Sequence, residues 1–371
     1  MWVCILAIAG MLFLPTGFEH EHPGERVKIE VVKANDSAVR QFGIVKTGDQ
    51  ALAVRVLQGK FKGRETEAVN HLMGKLEFDR MYAPGDRALA TLDGDGNAVL
   101  KITVVDYYRL GAEALLFAVF AAFLLAFAGW TGLRSLLSFV FTGVALWKVL
   151  LPGVLRGWNP IAASLAVSAL LTVVIIFLVS GSDKKGVVAC LGSLSGIALT
   201  CGLALFFGRE FSIHGAVKPF SEMLLYSGFA HLDLTDIFLG GIFLASSGAV
   251  MDLAMDISSA LNEIVLKNPD IARKDLIRSG FSVGRMVIGT MTTTLMLAYT
   301  GGFMTLFMVF IAQGTPVVNI LNLQYVAAEV LHTLVGSVGL VAVAPLTAVL
   351  GGYMMTRRLV AKSEANQTPQ R

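Results

Sequence analysis

The sequence predicts a polytopic α-helical membrane protein of about eight transmembrane helices, with a small all-β extracytoplasmic domain near its N-terminus. Three observations predict it. Of 371 residues, 55% are hydrophobic and only 15% charged, and the mean hydropathy is +0.67. Seven apolar runs, near 111–129, 135–151, 160–179, 187–207, 235–257, 286–312 and 326–355, approach or exceed the length needed to cross about 30 Å of hydrocarbon. Residues 27–106 follow a different rule, with short alternating β-branched runs set between Gly and Asp clusters.

The first element is an apolar stretch from Trp2 to Leu14, within residues 1–18. No Lys or Arg precedes it, and the small-residue pattern around Pro15-Thr16-Gly17 suits cleavage poorly. An uncleaved N-terminal span is expected. The domain at 19–109 follows, where KIEVV, ALAVRVLQG, ALATL and AVLKITVVDYY suggest a small barrel or sandwich. DGDGN between two of these runs reads as a hairpin turn, since Gly and Asn tolerate positive φ. Asp93, Asp95 and Asn97 imitate the start of a calcium loop, but Ala98 stands where that loop needs Gly and Val104 where it needs Glu.

Residues 110–357 then read as a seven-helix membrane domain and 358–371 as a cytoplasmic tail. Orientation follows from the short loops. With 19–109 outside, twelve basic residues fall inside: Arg134, Lys184, Lys185, Lys267, Arg273, Lys274, Arg278, Arg285, Arg357, Arg358, Lys362 and Arg371. The short outer loops hold three, Arg156, Arg209 and Lys218. The expected location is a bacterial cytoplasmic (inner) membrane, crossed several times. The linker NPDIARKDLIRSGF sets Ile271, Leu276 and Phe281 among Arg273, Lys274 and Arg278, with Gly280 as a stop, and predicts a short amphipathic helix on the inner surface. Cys190 and Cys201 share a helix too far apart to bridge, and Cys4 lies in the first span, so no disulfide is expected.

Carboxylates are costly in hydrocarbon, so GAVMDLAMDISSALNEI, residues 248–264, is the segment that asks for an explanation. Asp252, Asp256, Ser259 and Glu263 recur at spacings of 4, 3 and 4 and therefore share one helix face. Arg285 opens the next helix, within reach of pairing with Asp256. That helix also carries Thr290, Thr293 and Thr294, whose hydroxyls either extend a polar path or bond to their own backbone. Asp252, deeper than Asp256, is the candidate proton-exchanging group. At the outer side, His231 and Asp233 precede one helix, while Glu329 and His332 sit three apart on the last. A carboxylate–histidine cluster suits a divalent metal, but no spacing fixes a site, and neither metal nor cofactor is expected. No phosphate-binding loop, nucleophile elbow, HExxH or redox cysteine pair is present, so nothing calls for an enzyme.

At these residues the chain resembles the YibE/F family of bacterial membrane proteins. GAVMDLAMDISSALNEI, SGFSVGRMVIGTMTTTLMLAYTGG and EVLHTLVGSVGLVAVAPLTA look like that family's signature blocks in order. Three positions depart from the pattern: Met286 where the family usually has Asp, Thr293 where it often has Asn, and His332 where Arg is expected. A weaker likeness, to the SecD/SecF and RND permease half, rests on an Asp-bearing helix, a basic linker and an Arg-led Thr-rich helix. That likeness implies proton passage through intramembrane polar groups.

The expected function is transport of a small solute or ion, coupled to protons or another cation through Asp252, Asp256 and Arg285. The alternative is a non-transporting envelope accessory protein that binds a partner through its β domain. The expected partners are the lipid bilayer, a small solute or ion, and an envelope protein or a second copy; nucleic acid is not among them.

Overall fold

The computed structural model describes residues 1–18, 24–95 and 98–356, with the side chains of 94–100 outside the description. The chain divides into two compact units, Glu19–Leu124 and the combination of Met1–Phe18 with Leu125–Arg371.

Among its described residues the first unit has six strands: β1 (Glu25–Asn35), β2 (Val39–Phe42), β3 (Val45–Val56), β4 (Glu65–Met73), β5 (Arg87–Asp95) and β6 (Ala98–Tyr107). β1 pairs with both β5 and β3, so the order β1-β5-β6-β4-β3 closes on itself, with β2 added outside β3. β4 and β6 run parallel and the other pairs antiparallel. This is the strand order of a five-stranded Greek-key barrel of the OB type. Closure leaves one face of each strand to fill the interior. Val27, Ile29 and Val31 alternate inward from β1, and Leu52, Val54 and Val56 from β3.

Two hydrogen-bonded amides are buried among them. Gln50 donates to Asp36 and the Tyr82 carbonyl (2.8 and 2.9 Å), and accepts from Tyr82 N and from Asn70. Asn70 donates also to the Arg80 carbonyl at 2.7 Å. The pair thereby fastens the segment after β4 to the barrel wall. In the expected DGDGN turn, Asp95 pairs with Ala98 across the β5–β6 hairpin, while Gly96 and Asn97 lie outside the described residues. The tail at 358–371 does too.

The helices are α1 (Trp2–Phe13), α2 (Leu110–Ala145), α3 (Leu151–Leu155), α4 (Pro160–Val179), α5 (Lys184–Glu210), α6 (Ser221–Tyr226), α7 (Leu234–Lys267), α8 (Arg273–Thr300), α9 (Met304–Ala312), α10 (Val317–Asn322) and α11 (Gln324–Met355). Among the described residues, six helical stretches are long and apolar enough to cross a membrane: Leu110–Leu155, Pro160–Val179, Lys184–Glu210, Leu234–Lys267, Arg273–Ala312 and Gln324–Met355. The runs at 111–129 and 135–151 thus lie in one stretch, bent at Gly129, whose φ of 51° suits a residue without a side chain. α1, with 12 residues, is apolar but shorter than these six stretches.

Small residues let these helices approach closely, as membrane packing favours. α11 is central and touches α5, α7 and α8. A Cβ on Gly339 would collide with Thr200 of α5, one on Gly351 with Leu261 of α7, and one on Gly352 with Ile277 of α8. From the other side, Gly192 faces Thr347, and Gly280 and Gly284 lie against Ala348 and Ala344. This seam corrects the reading of the linker. Gly280 does not end a surface helix: α8 runs unbroken from Arg273 to Thr300, with Leu276 fully buried, because the glycine serves as a contact point for α11. The cysteines Cys4, Cys190 and Cys201 are buried and free.

Candidate functional site

A polar cluster forms where the loop after α5 meets the start of α7, the end of α8 and the start of α11. Glu329 sits near the start of α11 with its side chain 8% exposed, and Lys218, on the loop after α5, donates to its Oε2 at 2.7 Å. The ammonium also lies over the rings of Phe303 and Phe238, at 5.2 and 5.9 Å. A cation–π pair and a charge-assisted hydrogen bond thus converge on one nitrogen. One turn further, His332 brings Nδ1 to 3.7 Å from Glu329 Oε1, beyond hydrogen-bond length. Its ring packs on Tyr299 of α8, with centroids 4.2 Å apart. Neither His332 nitrogen, nor the Tyr299 and Thr333 hydroxyls, has a hydrogen-bond partner among the described residues. Such groups are uncommon in a buried setting and are the natural contacts for water or a solute.

Beside this cluster opens a cavity of about 210 Å³. Glu329, Thr300 and Thr333 line it together with Met296, Phe307, Val326, Val330 and Leu334.

The expected outer cluster therefore divides. Glu329 and His332 come together, but His231 is exposed and rests against Phe229, and Asp233 caps α7 by accepting from the backbone of Thr235 and Asp236. Among the described residues no three His, Cys, Asp or Glu side chains converge to hold a metal.

The inner constellation is placed differently from its expectation. Asp252, Asp256, Ser259 and Glu263 do share one face of α7, and that face is the exposed one. Arg285 forms no ion pair with Asp256 or Asp252 among the described residues. It lines a separate cavity of about 280 Å³ with Phe281, Ile288, Val341, Ala344 and Pro345. The expected Arg285–Asp256 pair is thus not formed, because α8 turns Arg285 toward α11. Thr290 donates to the Val287 carbonyl and Thr294 to that of Thr290, both at 3.0 Å, so these hydroxyls serve their own helix. Thr293 is exposed.

Lys218 and Tyr299 are the residues the sequence did not single out. Lys218 lies 111 positions from its partner, so no periodicity connects them. The available signal was chemical: an acid buried in an apolar helix needs a cation, and the loops expected on that side hold Arg156, Arg209 and Lys218. Arg156 donates to the Thr16 carbonyl instead.

Several apolar helices, close-packed through glycines and carrying a carboxylate paired inside them, define an integral membrane protein of the polytopic class. The sequence pattern of YibE/F-like proteins matches residues 116–357, well over half the chain, and the protein belongs to that family. No curated protein and no solved structure matches it.

Proposed function

We propose that the protein transports a small solute or ion across the bacterial inner membrane, with a proton or another cation coupled to the movement. The observation that supports this most is the buried Glu329 paired with the half-buried Lys218, with His332 beside it, at the start of an apolar helix whose Glu329 also borders a cavity. Intramembrane ionisable residues are costly and mark pathways or coupling sites. In this reading Asp252 and Asp256 form a second polar station toward the cytoplasmic end, and Glu329 is the outer one.

The chain then crosses eight times. Gly129 separates two crossings, and α1, about 18 Å of helix, reaches the outer surface through the extended residue Leu14 and those after it. Residues 19–109 are extracytoplasmic and the C-terminus is cytoplasmic. Membrane-impermeant thiol labelling from outside should mark a cysteine placed at Asp95 and spare one at Asp270; the reverse would overturn this orientation.

Flux into proteoliposomes, across a panel of ions and small solutes with and without a pH gradient, tests the transport reading. A gradient-dependent flux that Glu329→Gln removes is the expected result. A second reading, an envelope accessory role, draws support from the barrel's exposed apolar residues Phe42, Ile44 and Met73. It predicts no flux for any solute.

A further inference from the structure

The β2–β3 hairpin ends in a tip without a polar side chain. Phe42 pairs with Val45, and Gly43 and Ile44 form the turn between them, Gly43 at a φ of 60°. Turns of this kind usually carry Gly, Asn, Asp or Ser, yet Ile44 is 80% and Phe42 62% exposed. Gln41 Nε2 donates to the Gly43 carbonyl at 2.9 Å, so a neighbouring side chain serves a carbonyl that water would otherwise take. Arg40 and Lys46 stand just behind the tip, and no Asp or Glu occurs from Val39 to Gly48. Neither cation forms an ion pair among the described residues. At the other end of the barrel, the connection from β3 to β4 does the opposite. There Lys60 and Lys62 are exposed and the aromatic Phe61 turns inward.

Strand directions place the tip. β3 and β5 run antiparallel to β1, and β6 antiparallel to β5, so β6 leaves the barrel at the end where β3 enters it. β4 leaves at that end too, and its Met73 pairs with Thr47, two residues from the Val45 that pairs with Phe42. Met73 is exposed, as are Leu76 and Phe78 just after it. β6 ends at Tyr107, and α2 begins at Leu110 after only Tyr108 and Arg109. At full extension at most about 11 Å separates Tyr107 from Leu110. Leu110–Leu124 belongs to the same unit as the barrel, and its Leu115, Leu116 and Phe123 are exposed. A helix of that composition needs hydrocarbon from close to its first turn.

We propose that the β2–β3 hairpin docks on the bilayer: Phe42 and Ile44 enter the leaflet into which α2 runs, Met73 lies beside them, and Arg40 and Lys46 meet anionic headgroups. Three features favour lipid as the occupant. The short connection to α2 holds this end of the barrel, and not the end with Lys60, at the bilayer. The positive collar without acids complements anionic lipid, to which each Lys or Arg near the surface adds attraction. The tip projects as two or three side chains, less than the about 800 Å² that each partner of a standard protein interface buries, whereas acyl chains need no matching surface. The bond from Gln41 to the Gly43 carbonyl also lowers the cost of taking that backbone out of water. This role is independent of transport, and the accessory reading would give the same side chains to an envelope protein instead.

Full-length protein with Cys4, Cys190 and Cys201 replaced by Ala is reconstituted at one copy per nanodisc of phosphatidylcholine and phosphatidylglycerol. A single cysteine, from Ile44→Cys, Met73→Cys or Lys60→Cys, carries the fluorophore NBD, and part of the lipid carries a doxyl quencher high in its acyl chain. The labels at 44 and 73 should be blue-shifted and lose most of their emission to the quencher, while the label at 60 keeps its own. Phe42→Asp with Ile44→Asp, both at exposed positions, should bring the label at 73 to the level of the label at 60. Removing phosphatidylglycerol, or Arg40→Gln with Lys46→Gln, should each reduce the quenching at 44, and the two together should reduce it no further. Losses that simply add would overturn the headgroup contact. Equal quenching at 44 and 60 would show a barrel with no membrane-facing end and overturn the docking. So would a label at 44 that stays unquenched in nanodiscs, and its protection from aqueous iodide in native membrane vesicles would then assign the tip to a protein partner.

Discussion

Lys218 and Glu329 lie 111 residues apart in the chain and 2.7 Å apart in space. The contact ties the loop after α5 to the start of α11, and removing Lys218 alone leaves the Glu329 carboxylate in an apolar setting, whereas removing Glu329 leaves a lysine that is partly exposed. Glu329→Gln should lower unfolding free energy by about 1–3 kcal/mol, below the usual cost of breaking a fully buried pair because Lys218 is partly exposed. Lys218→Met should cost more, since it strands the more deeply buried carboxylate. The double variant should regain part of the loss. Thermal unfolding in detergent of all four proteins measures the cycle, and strictly additive losses would deny the coupling.

The exposed face of α7 yields a second expectation. With no Arg285 partner, Asp256→Asn should leave the melting temperature within about 2 °C of wild type, in line with surface changes within about 0.5 kcal/mol. Asp252→Asn should fold and insert as well, yet abolish proton-coupled flux if the inner acids form a station on the path. Wild-type flux in a well-folded Asp252→Asn protein would assign the pair to the helix surface alone.

The glycine seam separates into positions that bear a neighbour and positions that do not. Gly339→Leu drives a side chain into Thr200 and should cost at least 2–3 kcal/mol or prevent folding. A methyl group at Gly289 would meet nothing within 4 Å, so Gly289→Ala should be neutral or slightly stabilising, through helix propensity. Expression level and thermal stability in detergent compare the two, and equal losses would remove the distinction.

Acid should loosen the β barrel. Asp106 is held below the ordinary carboxylate range, first by the hydrogen bond from Arg109, at 2.7 Å. Burial pulls Asp79 upward, but the backbone N–H groups of Met73, Lys75 and Gly74 outweigh it and hold it low as well. Both folded values lie below the unfolded value of about 3.9. Their stabilisation is therefore complete above that pH and is lost as pH falls through the folded values. Amide protection in β1–β6, corrected for intrinsic exchange, should decline as pH falls below about 4. Asp106→Asn should shrink the decline, and protection flat with pH in wild type would contradict the assignment.

Much of the architecture is legible in the residues because it follows from hydrophobicity and period. The apolar runs become helices, and KIEVV, ALAVRV, ALATL and AVLKITVVDY become strands. β4 was not legible, since ETEAVNHLM fills the barrel with Ala68 and a hydrogen-bonded Asn70 where a strand pattern looks for β-branched residues. The site divides by the same logic. The spacing of Asp252, Asp256, Ser259 and Glu263 fixes that they share a face, but which face turns inward depends on where α4, α5 and α11 pack. Likewise Glu329 and His332 are visible as neighbours one turn apart. Their cation is not, because a loop delivers it from elsewhere in the chain. Gly280 misled for a physical reason: absence of a side chain serves a helix end and a helix contact equally well.

α8 touches α11 through an aromatic contact at each of its ends. Tyr299 lies on His332 at one, and the Arg273 guanidinium stacks 4.5 Å over Tyr353 at the other. The two residues stand near opposite ends of α8, an unbroken helix of 28 residues and about 42 Å. With Gly280 and Gly284 seated on Ala348 and Ala344 between the two rings, α8 and α11 are joined along their whole shared length, so a tilt of one helix against the other has to disturb an aromatic contact as well as the glycine seam.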